Sequence, residues 1–130
     1  MSLTESVEMY LETIYFIQQD HGHAHVVDIA DRMGVSKPSV TKAMNQLKEE
    51  GFVNKESYGH ITLTKRGVEI SELVAKRHKA ITVYLERTLK LTSEEASENA
   101  CRMEHIVSTG MMDAIERFLE SDQGSTLRSE

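Results

Sequence analysis

Cys101-Arg102-Met103-Glu104-His105 places a thiol, a carboxylate and an imidazole within little more than one helical turn. At roughly 100° per residue, Cys101, Glu104 and His105 share about a quarter of a helix's circumference. Met9 and Glu12 share one face of the first helical segment, and His78 lies on the apolar side of another. If these helices pack together, a thiolate, a thioether, two carboxylates and two imidazoles converge, a donor set suited to a divalent first-row transition metal. Singly, each residue has a plainer reading: Met9 as core filler, Cys101 as a small buried hydrophobe, His78 as a core histidine, Glu12 as helix surface. The joint pattern departs from those readings, because a buried Glu104 is costly without a cation or hydrogen bonds.

The elements that must position these residues follow from apolar spacing. Val7, Tyr10, Leu11, Ile14, Tyr15 and Ile17 mark a helix over 4–20, ended by His21-Gly22-His23. A short helix over 27–33 buries Ile29, Ala30 and Met33 and stops at Gly34. Ser36 is a candidate N-cap, with Pro38 in the first turn of a third helix that runs to about Glu50 and buries Val40, Ala43, Met44 and Leu47. Phe52–Glu56 and His60–Thr64 read as strands joined by Ser57-Tyr58-Gly59. Thr64 then opens a long helix to about Leu89, with a buried stripe of Ile70, Leu73, Val74, Ile81, Tyr84 and Leu85. Thr92 and Glu95 form a capping box for a helix to about Val107, and a last helix covers about 110–119.

Helix, Gly-containing turn, helix and hairpin is the order of a winged helix-turn-helix. The expected fold is mainly α: a winged helix-turn-helix with a small β-hairpin wing over residues 1–66, a helical domain over 67–120, and a disordered polar tail over 121–130. The outer face of the third helix offers Ser36, Lys37, Pro38, Ser39, Thr41, Lys42, Asn45 and Gln46, whose hydroxyl, amide and ammonium groups suit base edges and phosphates in a major groove. Lys55, Tyr58 and His60 in the wing are placed to reach the adjoining backbone. The alternative is that these side chains only solvate a protein-interaction module. Net charge is −6, yet residues 37–66 hold six Lys/Arg against three acids, so a basic patch survives on an acidic chain. His21, His23 and His25 read as a solvent-exposed turn, with a metal patch as the sharper alternative.

Composition narrows the classes. The 39% apolar and 28% charged content belongs to a globular chain, and no apolar run approaches the about 20 residues of a membrane span. The acidic N-terminus, with Glu5, Glu8 and Glu12, is not that of a leader peptide, and a single Cys fits a reducing compartment, so a cytoplasmic location is expected. No enzyme is expected, since a thiol nucleophile at Cys101 would lack a Gly-rich oxyanion loop and a substrate cleft. No organic cofactor is called for. The rival reading is a winged-helix regulator in which Cys101 senses oxidation and no metal takes part.

Glu8-Met9-Tyr10-Leu11-Glu12-Thr13-Ile14-Tyr15, Val35-Ser36-Lys37-Pro38-Ser39-Val40-Thr41 and Ala100-Cys101-Arg102-Met103-Glu104-His105 together resemble, in order, the first helix, recognition helix and metal-binding helix of the diphtheria toxin repressor family. The resemblance covers residues 5–120. It implies a homodimeric repressor of palindromic double-stranded operator DNA, with a helical dimerisation and metal-binding domain. It also implies iron-type ligands at Met9, Cys101, Glu104 and His105, with manganese-type partners at Glu12 and His78. Thr82 and Ser97 stand where the iron type's ancillary site has Glu and His ligands, so that site is expected to be absent or altered. The short architecture is that of the manganese regulators. Soft thiolate and thioether donors favour Fe²⁺, Co²⁺, Ni²⁺ or Zn²⁺ over Mn²⁺, which prefers oxygen ligands; with cellular availability choosing among them, Fe²⁺ is expected as the physiological metal, with Mn²⁺ next. The expected behaviour is a metal-controlled DNA switch in iron or manganese homeostasis.

Overall fold

A computed structural model describes residues 4–56 and 58–129, with side chains through Ser121. The order is α1 (Glu5–His21), α2 (Val26–Met33), α3 (Lys37–Glu49), β1 (Val53–Lys55), β2 (Ile61–Leu63), α4 (Lys65–Leu89), α5 (Ser93–Met103) and α6 (Thr109–Ser129). The chain divides into two compact units between Leu73 and Val74, within α4.

In the first unit, local chemistry sets the helix ends. The Thr4 hydroxyl accepts from Val7 N at 3.1 Å and opens α1, and Ser36 Oγ accepts from Ser39 N at 3.3 Å and opens α3. Gly34 adopts φ 69°, the left-handed conformation that lets the chain turn sharply from α2 towards α3. Val40, Met44 and Leu47 recur at helical spacing and are buried. They join Leu11, Ile14, Ile17, Ile29, Phe52 and Ile61 in one core. That core leaves the opposite side of α3 to solvent.

The wing is a short antiparallel hairpin in which Val53 faces Leu63, Asn54 faces Thr62 and Lys55 faces Ile61. Both strands are shorter than the runs expected from sequence. A third chain joins them: Ala24, in the α1–α2 linker, exchanges both backbone hydrogen bonds with Ile61, each 2.8 Å. Gln18 Oε1 also accepts from Leu63 N at 2.8 Å, fastening the hairpin to α1. At Gly67 there is no room for a side chain, since a Cβ would collide with the Phe52 carbonyl oxygen. Ser57, expected in the hairpin turn, lies outside the described residues.

The second unit packs Ile81 and Leu85 of α4 against Ala96 and Ala100 of α5 and Met112 and Ile115 of α6. Three expectations change. Leu73 is 56% exposed rather than part of the buried stripe, because Ser71 and Val74 take the inner face of α4 and Leu73 lies two residues, about 200°, beyond Ser71. α5 ends at Met103 rather than near Val107, since Ile106 N and Val107 N both bond to the Met103 carbonyl, each at 3.0 Å, and tighten the last turn. α6 reaches Ser129, past the expected end near Leu119. The stretch expected as a disordered tail, 121–130, carries helical backbone through Ser129, while the side chains of 122–129 and the whole of residue 130 lie outside the described residues. Among the described residues, no helix is long and apolar enough to cross a membrane.

Candidate metal centre and nucleic-acid interface

On α3 and its N-cap, Ser36, Lys37, Pro38, Ser39, Lys42, Asn45 and Gln46 are all exposed, while Thr41 is half-buried. Tyr58 at the hairpin tip is 86% exposed, so an aromatic ring stands in solvent without packing. The wing and α3 are joined directly: Lys55 Nζ donates to Asn45 Oδ1 at 3.0 Å. Two side chains expected to face nucleic acid separately are thus partnered with each other. Gln46 Nε2 donates to Glu50 Oε1 at 3.3 Å, and Ser36 is occupied as the helix cap. Ser39 Oγ lies 2.8 Å from Ser36 Oγ, so Lys37 and Lys42 present the most available polar groups at the start of α3. Pro38 has no donor and acts by presetting the first turn.

The second unit gathers four of the sequence-predicted ligands around Glu104. Its carboxylate is wholly buried. His78 Nδ1 lies 3.1 Å from Oε2 and His105 Nε2 lies 3.3 Å from Oε1, one imidazole on each oxygen. The ligand atoms of His78, Cys101 and Glu104 lie within 4.8 Å of one another. Cys101 is exposed rather than a buried hydrophobe. Glu104 follows α5 as its C-cap in an αR conformation, and His105 sits in the tightened turn beyond.

His78 is held from both sides. Its Nε2 lies 3.1 Å from Ser97 Oγ, and its carbonyl accepts from Thr82 Oγ1 at 2.8 Å. The two residues expected at the ancillary ligand positions, Ser97 and Thr82, thus anchor His78 and its helix turn. Ser97's role was missed from sequence; only its spacing from His78 across two helices, invisible in one dimension, would have shown it. With Nε2 engaged by Ser97, Nδ1 is the nitrogen turned to Glu104, an orienting contact of the kind that fixes a metal-ligating histidine. Met9 and Glu12 belong to the first unit, on α1, with Met9 40% exposed and Glu12 half-buried.

A buried carboxylate between two imidazoles requires positive charge nearby. Imidazole, carboxylate and thiolate donors at these distances fit a divalent transition metal. The donor set therefore suits the group its chemistry suggests.

Comparison with known proteins gives the same picture. Residues 2–61 match the family described as iron dependent repressor, N-terminal DNA binding domain, and residues 64–123 match iron dependent repressor, metal binding and dimerisation domain. The HTH-type transcriptional regulator MntR of Bacillus pumilus is 32% identical over 94% of this chain and 87% of its own length. The iron-dependent repressor IdeR of Mycobacterium bovis is 29% identical over 82% of this chain and 46% of its own. Among solved structures, the manganese regulator SloR superposes with a TM-score of 0.75 at 30% identity, covering 92% of this chain and 55% of that one. A manganese-dependent transcriptional repressor in complex with manganese gives 0.80 at 27% identity, covering 88% and 52%. The chain spans about half the length of these solved structures.

Proposed function

The chain belongs to the iron-dependent repressor family of DNA-binding, metal-dependent transcription regulators, and on that premise we propose that it represses genes of metal homeostasis by binding a palindromic operator as a homodimer when a divalent cation is bound. The observation that carries this reading is Glu104, buried completely with an imidazole against each oxygen. Bound there, a divalent cation supplies the positive charge that the carboxylate needs. His78, Cys101, Glu104 and His105 are the ligands of the second unit, with Ser97 orienting His78. Met9 and Glu12 join the proposed set on the strength of the family motif in α1.

The thiolate and thioether favour Fe²⁺, Co²⁺, Ni²⁺ or Zn²⁺ over Mn²⁺, which prefers oxygen ligands; as the physiological metal we favour Fe²⁺, with Mn²⁺ next and Co²⁺, Ni²⁺ or Zn²⁺ as substitutes. The relatives' names include both manganese and iron regulators. The DNA-reading face is Ser36 to Gln46 of α3 with Lys55 and Tyr58 of the wing, and phosphate contacts through Lys37, Lys42 and Lys55 offset the acidic net charge. Leu89 (64%), Ile106 (71%), Met111 (43%) and Phe118 (41%) leave apolar surface exposed on the second unit, which supports a two-fold dimer presenting two recognition helices to half-sites of a palindrome. The rival reading, Cys101 as a metal-independent thiol sensor, is not favoured, because the thiol shares its cluster with a buried carboxylate and an imidazole.

The test is an operator gel shift with and without chelator, titrating Fe²⁺, Mn²⁺ and Zn²⁺. Binding should vanish with chelator and return with metal, and the His105→Ala protein should remain folded but lose this response. Unchanged metal dependence in His105→Ala would sink the mechanism. A monomer by sedimentation at micromolar concentration, with DNA binding retained, would sink the dimer.

A further inference from the structure

The first unit contains a second cluster of donors, made only of imidazoles. His23 and His25 flank Ala24, and His60 precedes Ile61, the two residues whose paired 2.8 Å backbone bonds join the α1–α2 linker to the wing. Alternation along an extended chain turns His23 and His25 to the same side. The bridge brings His60 beside them, while His21 stays outside the group. His23 Nε2 and His25 Nε2 are 3.2 Å apart, the His60 ring stacks on His23 at 3.9 Å, and its centroid lies 5.0 Å from that of His25. One ligand nitrogen from each of the three falls within 4.8 Å of the others.

We propose that His23, His25 and His60 form a metal-binding site at the base of the wing, taking Zn²⁺ or another imidazole-preferring divalent ion such as Ni²⁺ or Co²⁺. Zinc–nitrogen bonds of about 2.05 Å at tetrahedral angles put two ligand nitrogens about 3.3 Å apart, so the His23–His25 separation already matches one edge of such a site. The frame is rigid: Ala24 and Ile61 are wholly buried. The His25 backbone N–H is held by Asp28 Oδ2 at 3.2 Å, at the start of α2. Closure needs one movement. The His60 ring lies within 12° of parallel to His23, so it must tilt off the stack to aim its lone pair at a shared ion. The proton in the His23–His25 contact shifts to a ring Nδ1, so both Nε2 lone pairs face the ion and no net proton is lost. Burial, followed by the neighbouring His60 and His25, holds His23 below the ordinary histidine value and keeps its imidazole neutral, the form that ligates. All-nitrogen donors distinguish this site from the Glu104 cluster and disfavour Mn²⁺. An ion here would clamp the α1–α2 linker to the wing.

Zinc calorimetry on the full chain tests this, with His23→Gln and His60→Gln as the removing variants and His21→Gln as the control. The two removing variants should each take up one equivalent fewer per chain than the unsubstituted protein, and His21→Gln should match it. In a His105→Ala background the extra equivalent should persist, which separates this site from the one proposed above. The histidine ring resonances of His23 and His60 should shift together on zinc addition as the stack opens. Should His60→Gln fail to fold, His23→Gln, in the linker, still gives the stoichiometry. Undiminished uptake in His23→Gln, or no zinc uptake in the His105→Ala background, overturns the site.

Discussion

The two histidine clusters differ in charge, and the difference explains what each can do. Around Glu104 the centre is an anion with no exposure, flanked at 3.1 and 3.3 Å by His78 and His105. At the wing base the cluster is made only of imidazoles: His23 and His25 meet through their Nε2 atoms at 3.2 Å, and the His60 ring stacks on His23. A buried anion makes its surroundings depend on positive charge. A group made only of imidazoles makes no such demand, so an ion there adds a clamp without being a condition of folding. Only the first kind of cluster makes a switch.

Glu104→Gln attacks that contrast most strongly, because it keeps the shape and removes the charge. Metal affinity of the second unit should fall about a hundredfold or more, about 2.7 kcal/mol, and operator binding should lose its response to metal in a gel shift. Zinc uptake at the wing base should be unaffected. Equal loss at both clusters would erase the distinction.

Gly67→Ala strikes the other region. The added methyl meets the Phe52 carbonyl, and overpacking of this kind costs about 1–3 kcal/mol. Denaturant titration should show the loss, with metal affinity around Glu104 little changed. A Gly67→Ala protein as stable as its parent would refute the close approach.

Ser97→Ala sharpens the comparison inside the second unit. If Ser97 orients His78, metal affinity should fall about tenfold, as for other outer-shell partners, while stability barely moves. No change in affinity by calorimetry would reduce Ser97 to surface.

Lys42→Ala should weaken operator binding by about 1 kcal/mol and lower the slope of log affinity against log salt by about 0.9, leaving metal uptake intact. Were metal uptake to fall instead, Lys42 would not face DNA. The smallest shift belongs to Cys101→Glu and Met9→Asp, whose harder oxygens should move preference from Fe²⁺ towards Mn²⁺ by about threefold, about 0.7 kcal/mol. Competition titration with the two ions reads it, and an unmoved ratio would remove these residues from the ligand set.

Much of this protein was legible in one dimension because it is local. Caps at Ser36, Thr64 and Thr92 bond to backbone only three residues on, the Gly34 turn needs only its own left-handed φ, and apolar period alone exposes the outer face of α3. Cys101, Glu104 and His105 were legible for the same reason, their separation being one turn of chain. The sequence thus determined the helix order, the wing, the exposed polar face of α3 and a compact set of candidate donors. What it left to the tertiary structure depends on pairs far apart in the chain: Ala24 with Ile61, Asn45 with Lys55, His78 with Ser97 and Glu104. Such contacts are set by how elements pack, and residue spacing carries no record of it. The His21–His23–His25 triplet shows the point. Sequence grouped three neighbours, whereas the backbone bridge replaced His21 with His60, because register across strands, not proximity along the chain, decides which imidazoles meet.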